Sequence, residues 1–115
     1  VDWCFATRVG RQARAISNQY KKWYPPEVAA RMPVTPGTDL YMAARCMTYL
    51  LGSGVGEVPS SLHERFRRVL LPCLLGNPTY RSQNAWELYN ETDVASRVVF
   101  GAPRYIPLVM PAMEA

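Results

Sequence analysis

Histidine and closely spaced cysteine are scarce in this sequence. The chain of 115 residues has one histidine, His63, and three cysteines, Cys4, Cys46 and Cys73. The cysteines form neither a CxxC motif nor a Cys-His pair, whereas structural zinc sites usually use short paired spacings. We therefore predict no metal site and no cofactor. An odd number of cysteines favours reduced thiols over a disulfide framework, and one disulfide with one free thiol remains an alternative.

A long hydrophobic run is also missing. The longest apolar stretch, residues 69–75, has seven residues with Pro72 in its middle. Crossing a bilayer as a helix takes about 20 residues, so we predict no transmembrane span. The sequence does not begin with methionine, which predicts a processed or trimmed amino terminus.

Acidic residues are nearly absent from the first part of the chain. The net charge is +4, and residues 1–24 contain five Lys and Arg but only Asp2 as an acid. The rest of the chain is balanced, with eight basic and eight acidic residues. A nucleic-acid module usually has a denser basic surface, so nucleic acid is the weaker prediction. A chain of this length suits one small domain that buries roughly 65% of its unfolded surface.

The basic segment has the hydrophobic spacing of an amphipathic helix. Val9, Ala13, Ile16, Tyr20 and Trp23 recur at intervals of three and four residues, which is the period of one helical face. The spacing predicts a helix over residues 3–23 that ends at the following prolines. Such a basic, aromatic surface suits a protein partner, anionic lipid headgroups or RNA phosphates.

Four further helices are predicted after the basic segment. Thr38 or Asp39 caps the first of them, over residues 39–51, and Gly52 closes it. Ser61 and Glu64 form a capping box for the next, which Pro72 ends or kinks.

The last two predicted helices are short. One begins near Ala85, and Thr92-Asp93 caps another that runs to Phe100. A strand over residues 98–100 is the alternative for the end of this region. The expected fold class is mostly α, with several short helices.

The carboxyl end is apolar yet unable to form a helix. Pro103, Pro107 and Pro111 stand at a spacing of four, and proline both lacks the helical N–H donor and pushes the preceding residue into extended geometry. We predict that residues 1–100 form a small helical domain and that residues 101–115 form an extended C-terminal arm. An apolar segment that cannot fold on itself must lie along another surface, so the arm indicates a binding role.

Candidates for chemistry are weak. Residues 52–56 read Gly-Ser-Gly-Val-Gly, but they follow a helix and lack a nearby lysine, so we interpret them as a hinge rather than a phosphate loop. His63 with Cys46 or Cys73 could form a nucleophile and base, although a capping or exposed role fits the histidine better. Glu87, Glu91 and Asp93 could bind a divalent cation, although a solvated acidic face is the commoner arrangement.

Four short motifs between residues 20 and 66 carry a resemblance to a known family. They are Lys22-Trp23-Tyr24, Arg31-Met32-Pro33, Asp39-Leu40-Tyr41 with Arg45, and Val58-Pro59. In this order they are similar to motifs of the small matrix-side subunit 7, or ubiquinone-binding protein, family of the mitochondrial cytochrome bc1 complex. The resemblance implies a helical, non-catalytic subunit whose Trp23, Tyr24, Tyr41 and Arg45 pack against larger subunits.

The expected function is therefore that of a structural subunit in a large assembly, peripheral to the matrix side of the mitochondrial inner membrane. The alternatives are a self-sufficient nucleic-acid or phosphate-binding module and a small enzyme. The residues predicted to contact partners are Arg8, Arg11, Lys22, Trp23, Tyr24, Tyr41, Arg45, Tyr105, Ile106, Leu108 and Met110.

Overall fold

The computed structural model describes residues 5–112, and half of these residues are helical with no strand among them. The α-helices are α1 (Pro26–Ala29), α2 (Pro36–Leu50), α3 (Glu64–Cys73) and α4 (Ala85–Phe100), and short 3-10 turns occupy Asn18–Trp23 and Pro78–Tyr80. The mostly α fold class is confirmed. None of the helices in residues 5–112 has the length and apolar composition that a membrane span requires.

The hydrophobic core lies where α2, α3 and α4 meet. Its buried side chains are Leu40, Ala44, Val69, Leu70, Cys73, Leu88 and Ala95. Partly buried apolar side chains from the α2–α3 connection and from α3, such as Val58 and Phe66, surround this cluster. A core of this size leaves many large apolar side chains in contact with solvent.

Helix α2 matches the predicted second helix but begins at Pro36, three residues before the predicted start. Proline suits the first turn of a helix because its missing N–H would have no partner there. The Thr35 N–H donates to the Thr38 hydroxyl at 3.1 Å, so Thr38 acts inside the first turn rather than as the cap.

The predicted capping box of α3 is wrong. The residue before the helix is His63, whose Nδ1 accepts a hydrogen bond from the Arg65 N–H at 3.1 Å. Ser61 lies in the preceding turn. Pro72 is inside α3, which ends one residue later at Cys73, so the proline falls at the end of the helix as predicted.

Helix α4 is one helix of 16 residues and not two short ones. The Asn84 side chain caps it by accepting from the Trp86 N–H at 2.9 Å. Thr92, a predicted cap, lies inside the helix with its hydroxyl donating to the Leu88 carbonyl at 2.7 Å. The alternative strand over residues 98–100 is also wrong, because no glycine or proline interrupts the helix before Gly101.

The predicted basic helix over residues 3–23 is wrong for the residues that the structure describes. Residues 5–17 contain no helix, and the 3-10 turn follows them. Gly10 has a φ of +83°, which a helix does not contain. The Gly10 N–H donates to Val34 O, and the Val34 N–H donates to Arg11 O, both at 2.9 Å. The segment therefore pairs its backbone with the stretch before α2 instead of with itself. Residues 1–4 lie outside the described part.

The C-terminal arm leaves α4 at Gly101. Its residues 101–112 are all exposed and have no helix or strand. Ile106 is 95% exposed and Tyr105 is 83% exposed, so these side chains do not pack on the helical body. Residues 113–115 lie outside the described part of the chain.

Candidate interaction surfaces

A buried ion pair ties α1 to the segment between α3 and α4. The side chains of Glu27 and Arg81 are only 3% and 0% exposed, and the guanidinium binds the carboxylate through both nitrogens, with Arg81 Nη2 at 2.9 Å from Glu27 Oε2. Arg81 also donates to the carbonyls of Leu75 at 2.6 Å and Gly76 at 3.1 Å. The Thr38 hydroxyl donates to Glu27 Oε1 at 3.1 Å. Every charged group in this cluster therefore has partners, as a buried pair requires.

The same contacts set the charge state of Glu27. Burial raises the pKa of the Glu27 carboxyl, but the hydrogen bond from Arg81, the backbone hydrogen bond of Glu27 and the positive charge of Arg81 outweigh burial and lower the pKa below its ordinary value of 4.5. Glu27 is therefore ionised in the folded protein near neutral pH.

Tyr41, a predicted partner contact, lies inside this chain. It is 5% exposed, and its ring is covered by Arg81 at 4.6 Å and by Arg45 at 4.8 Å. Arginine stacks favourably on an aromatic face. This burial does not agree with a partner-binding role for Tyr41, because its surface is already used by two side chains of the same molecule.

Four other predicted residues come together beside Tyr41. The guanidinium of Arg45 donates to the Lys22 carbonyl, and Trp23 meets Tyr49 edge to face with ring centres 5.3 Å apart. The hydroxyl of Tyr24 accepts from the Ser17 N–H at 3.3 Å. Lys22 is exposed, whereas Trp23, Tyr24 and Arg45 are only partly so. The Arg45–Lys22 and Trp23–Tyr49 contacts hold the 3-10 turn against α2, whereas Tyr24 bonds back to Ser17. Each of the four predicted residues keeps part of its surface accessible.

Three arginines surround one shallow depression in the amino-terminal segment. Arg8, Arg11 and Arg14 line it together with Gly10 and Pro33, and we call it the arginine pocket. All three arginines are exposed. They form no ion pair with any carboxylate in residues 5–112. The arrangement concentrates positive charge where an anion could approach.

An apolar groove opens between the end of α2, the body of α3 and the carboxyl-terminal half of α4. Its walls include Met47, Leu50, Leu62, Phe66, Leu70 and Phe100, and its volume is about 360 Å³. Leu50 is 82% exposed and Phe100 is 77% exposed. The arm begins at the residue after Phe100, so the predicted contacts Tyr105, Ile106, Leu108 and Met110 follow directly from the edge of this groove.

The structure separates His63 from Cys73 and groups no metal ligands in residues 5–112. Burial raises the pKa of the Cys73 thiol, and that thiol faces the Val69 carbonyl at 3.5 Å. His63 lies at the opposite end of α3, about 15 Å away along a helix that rises about 1.5 Å per residue. No three His, Cys, Asp or Glu side chains of the described residues are grouped to hold a metal ion.

The glycine-rich segment closes back onto α2. The Thr48 hydroxyl, fully buried, donates to the Arg45 carbonyl and accepts from the Gly56 N–H, each at 2.8 Å. The Gly56 N–H is therefore already bonded within the chain, and the segment serves as a connection between α2 and α3.

Comparison of the chain with protein-family models, curated proteins and solved structures finds no match. The resemblance of residues 20–66 to the bc1 subunit family therefore stays a prediction.

Sequence reasoning missed two features of these surfaces. Glu27 and Arg81 are 54 residues apart, and nothing in their local sequence marks them as partners. The apolar groove was also missed, because the sequence does not show that Leu50 and Phe100, large apolar residues at the ends of α2 and α4, stay exposed in the folded chain.

Proposed function

We propose that the protein is a non-catalytic structural subunit of a multiprotein assembly. The observation that carries the proposal is the amount of apolar surface left uncovered. The arm exposes Tyr105, Ile106, Leu108, Val109 and Met110 by 72–95%. Contiguous exposed apolar surface is typical of a region that another molecule covers.

The outer face of α4 adds a second apolar surface. Trp86 and Tyr89 are 75% and 63% exposed and pack edge to face with ring centres 6.1 Å apart. Aromatic side chains of this kind are enriched at the centres of protein interfaces. Other protein subunits are therefore the proposed partners of this face.

The proposed place of the assembly is the matrix side of the mitochondrial inner membrane, where the protein would be peripheral. The support is the resemblance of residues 20–66 to the bc1 subunit family.

Purification from the native source in mild detergent tests the subunit role. We expect the protein to elute with a fixed set of other proteins in constant ratio, because its exposed apolar surface needs cover. A Trp86→Ser/Tyr89→Ser variant should lose these companions while keeping its helical circular dichroism. Tyr80→Ser, at a 72% exposed aromatic on a short turn, is the matched control. Elution without other proteins, either as a sharply melting monomer or as a dimer of this chain alone, would contradict the proposal.

A second candidate function is phosphate binding by the arginine pocket, on RNA or on an anionic lipid surface. The three exposed arginines that line this pocket favour it. Arginine forms paired hydrogen bonds with phosphate oxygens, and its charge is retained at all physiological pH values.

Titration of labelled single-stranded RNA at increasing salt tests this candidate. Three phosphate contacts predict that the logarithm of affinity falls with the logarithm of salt concentration with a slope of about −2. An Arg8→Ser/Arg11→Ser/Arg14→Ser variant should abolish most of this dependence. Arg68→Ser/Arg97→Ser/Arg104→Ser removes the same charge elsewhere and should bind nearly normally. Vesicles with and without anionic lipid separate a membrane from RNA, and no binding of either at low salt would dismiss the candidate.

A further inference from the structure

The apolar groove offers almost nothing for a polar ligand to bind. Thr92 contributes the one hydroxyl in its wall, and that hydroxyl already donates to the Leu88 carbonyl at 2.7 Å. The remaining lining consists of leucine, methionine, valine and phenylalanine side chains. An occupant must therefore be apolar on the side that faces the groove. Its backbone N–H and C=O groups must form hydrogen bonds with water or with each other, because the groove offers them no partner.

The aromatic floor of the groove suits a proline-containing segment. Phe66 and Phe100 lie with ring centres 5.8 Å apart and planes tilted by 37°. Extended proline-rich segments dock in grooves lined by aromatic rings because their conformation is set in advance and little entropy is lost on binding. Such segments leave their backbone hydrated, which matches a groove that offers no backbone partner.

The C-terminal arm is a segment of this kind. Pro107 separates the pairs Tyr105-Ile106 and Leu108-Val109, and Pro103 and Pro111 flank them. Each of these four side chains is at least 83% exposed. At about 3.1 Å per residue the twelve described residues of the arm reach about 37 Å. The four residues before Tyr105 give a spacer of about 12 Å on the same scale.

In this structure the arm does not occupy the groove of its own chain, because no residue of 101–112 lines the groove and all of them are exposed. Gly101 has φ of +82° and ψ of −162°, a region that is essentially restricted to glycine. Pro103 holds Ala102 in extended geometry, so Gly101 is the one free joint between the helix and the arm. Docking in the same chain would require the arm to leave the position that it has in this structure, whereas a second copy can approach the arm where it already lies exposed.

We propose that two copies of this chain form a symmetric dimer in which the arm of each lies in the apolar groove of the other. A two-fold arrangement pairs both arms and both grooves at once, as isologous interfaces do. The dimer goes beyond the proposed subunit role. It covers the arm and the groove and leaves the Trp86 and Tyr89 face for other proteins.

A mixing experiment with two variants tests the exchange. Leu50→Lys places a charge in the groove and Ile106→Lys places one in the arm, and both positions are so exposed, at 82% and 95%, that the fold should be kept. Sedimentation should show a wild-type dimer and a dissociation constant at least about tenfold weaker for either variant alone. Mixing the two variants restores one intact arm and groove pair. Native mass spectrometry should then show a heterodimer well above the 1:2:1 proportion that random pairing of two equivalent protomers would give.

Tyr80→Lys is the matched control, since it adds the same charge at a 72% exposed aromatic outside the groove and should dimerise normally. A wild-type monomer at all accessible concentrations would overturn the dimer, as would two variants that associate as well as wild type. A mixture without heterodimer would overturn the exchange of arms. Loss of companion proteins from the Trp86→Ser/Tyr89→Ser variant bears on the subunit role alone, because that variant should still dimerise.

Discussion

Replacing Arg81 with methionine should lower the free energy of unfolding by about 3–5 kcal/mol, the usual cost of removing one partner from a buried ion pair. The variant leaves the Glu27 carboxylate, 3% exposed, without its main counter-charge. It also leaves the carbonyls of Leu75 and Gly76 without the donors that Arg81 supplies. Small domains have about 5–15 kcal/mol in total, so the midpoint of urea unfolding should fall steeply.

Two variants show whether burial is the cause. Arg68 pairs with Glu64 across an exposed turn of α3, with side chains 73% and 72% exposed, so Arg68→Met should cost less than about 1 kcal/mol. Glu27→Leu/Arg81→Met removes both charges and should recover much of the lost stability, because apolar pairs often replace buried ion pairs at little cost. Equal effects of Arg81→Met and Arg68→Met would contradict the assignment.

The pH dependence of unfolding gives an independent readout of the same pair. The pKa of Glu27 is lowered from 4.5 in the folded protein, so the unfolded chain binds the proton more tightly. The stabilisation is therefore fully present above pH 4.5 and is lost as the pH falls from there through the lower pKa of the folded state. The Glu27→Leu/Arg81→Met variant should lack this part of the acid dependence.

A helix could be predicted where the spacing of apolar residues within the helix itself determines which face is buried. In α2 the apolar positions Leu40 and Ala44 share one face, and both are in the core. Local pattern misleads in α4, because Thr92-Asp93 has the composition of a helix cap. In the structure Thr92 returns its hydrogen bond to Leu88, and Asp93 pairs with Arg97 at 3.0 Å within the same helix.

The predicted helix in the amino-terminal segment was wrong for a different reason. Its apolar residues have helical spacing, but Gly10 adopts a left-handed φ and the neighbouring backbone bonds to Val34. Tertiary pairing of this kind overrides local propensity. Arg31, whose Nη1 donates to the Ala13 carbonyl at 3.2 Å, adds to a network that no single stretch of sequence contains.

The same difference between local and tertiary causes applies to the candidate surfaces. The lack of helix in residues 101–112 could be predicted, because proline acts on its own backbone and on the residue before it without any contribution from the rest of the fold. The accessibility of Tyr41 and Arg45, two predicted partner contacts, could not be predicted, because Arg81 covers Tyr41 and Arg45 donates to the Lys22 carbonyl only in the folded chain. The sequence shows the chemistry of a residue, whereas its accessibility depends on the whole fold.

Leu70→Ala should lower the free energy of unfolding by about 2–5 kcal/mol, the range for truncating a buried leucine. Leu70, on α3, is 6% exposed, belongs to the core cluster and also lines the groove. The loss combines transfer of the removed methyl groups with the cavity that remains. Urea unfolding in the Ile106→Lys background measures it without a contribution from dimerisation, which would otherwise add to the apparent stability.

Leu50→Ala is the matched control, because the same atoms are removed from a side chain that is 82% exposed at the end of α2. Its effect on unfolding should stay within about 0.5 kcal/mol, while its effect on dimerisation in the wild-type background should be clear. The two variants thus distinguish the contribution of a buried groove residue to stability from the contribution of an exposed groove residue to dimerisation. Equal destabilisation by both truncations would mean that Leu50 is packed in solution, and the groove would then be closed rather than open to a second arm.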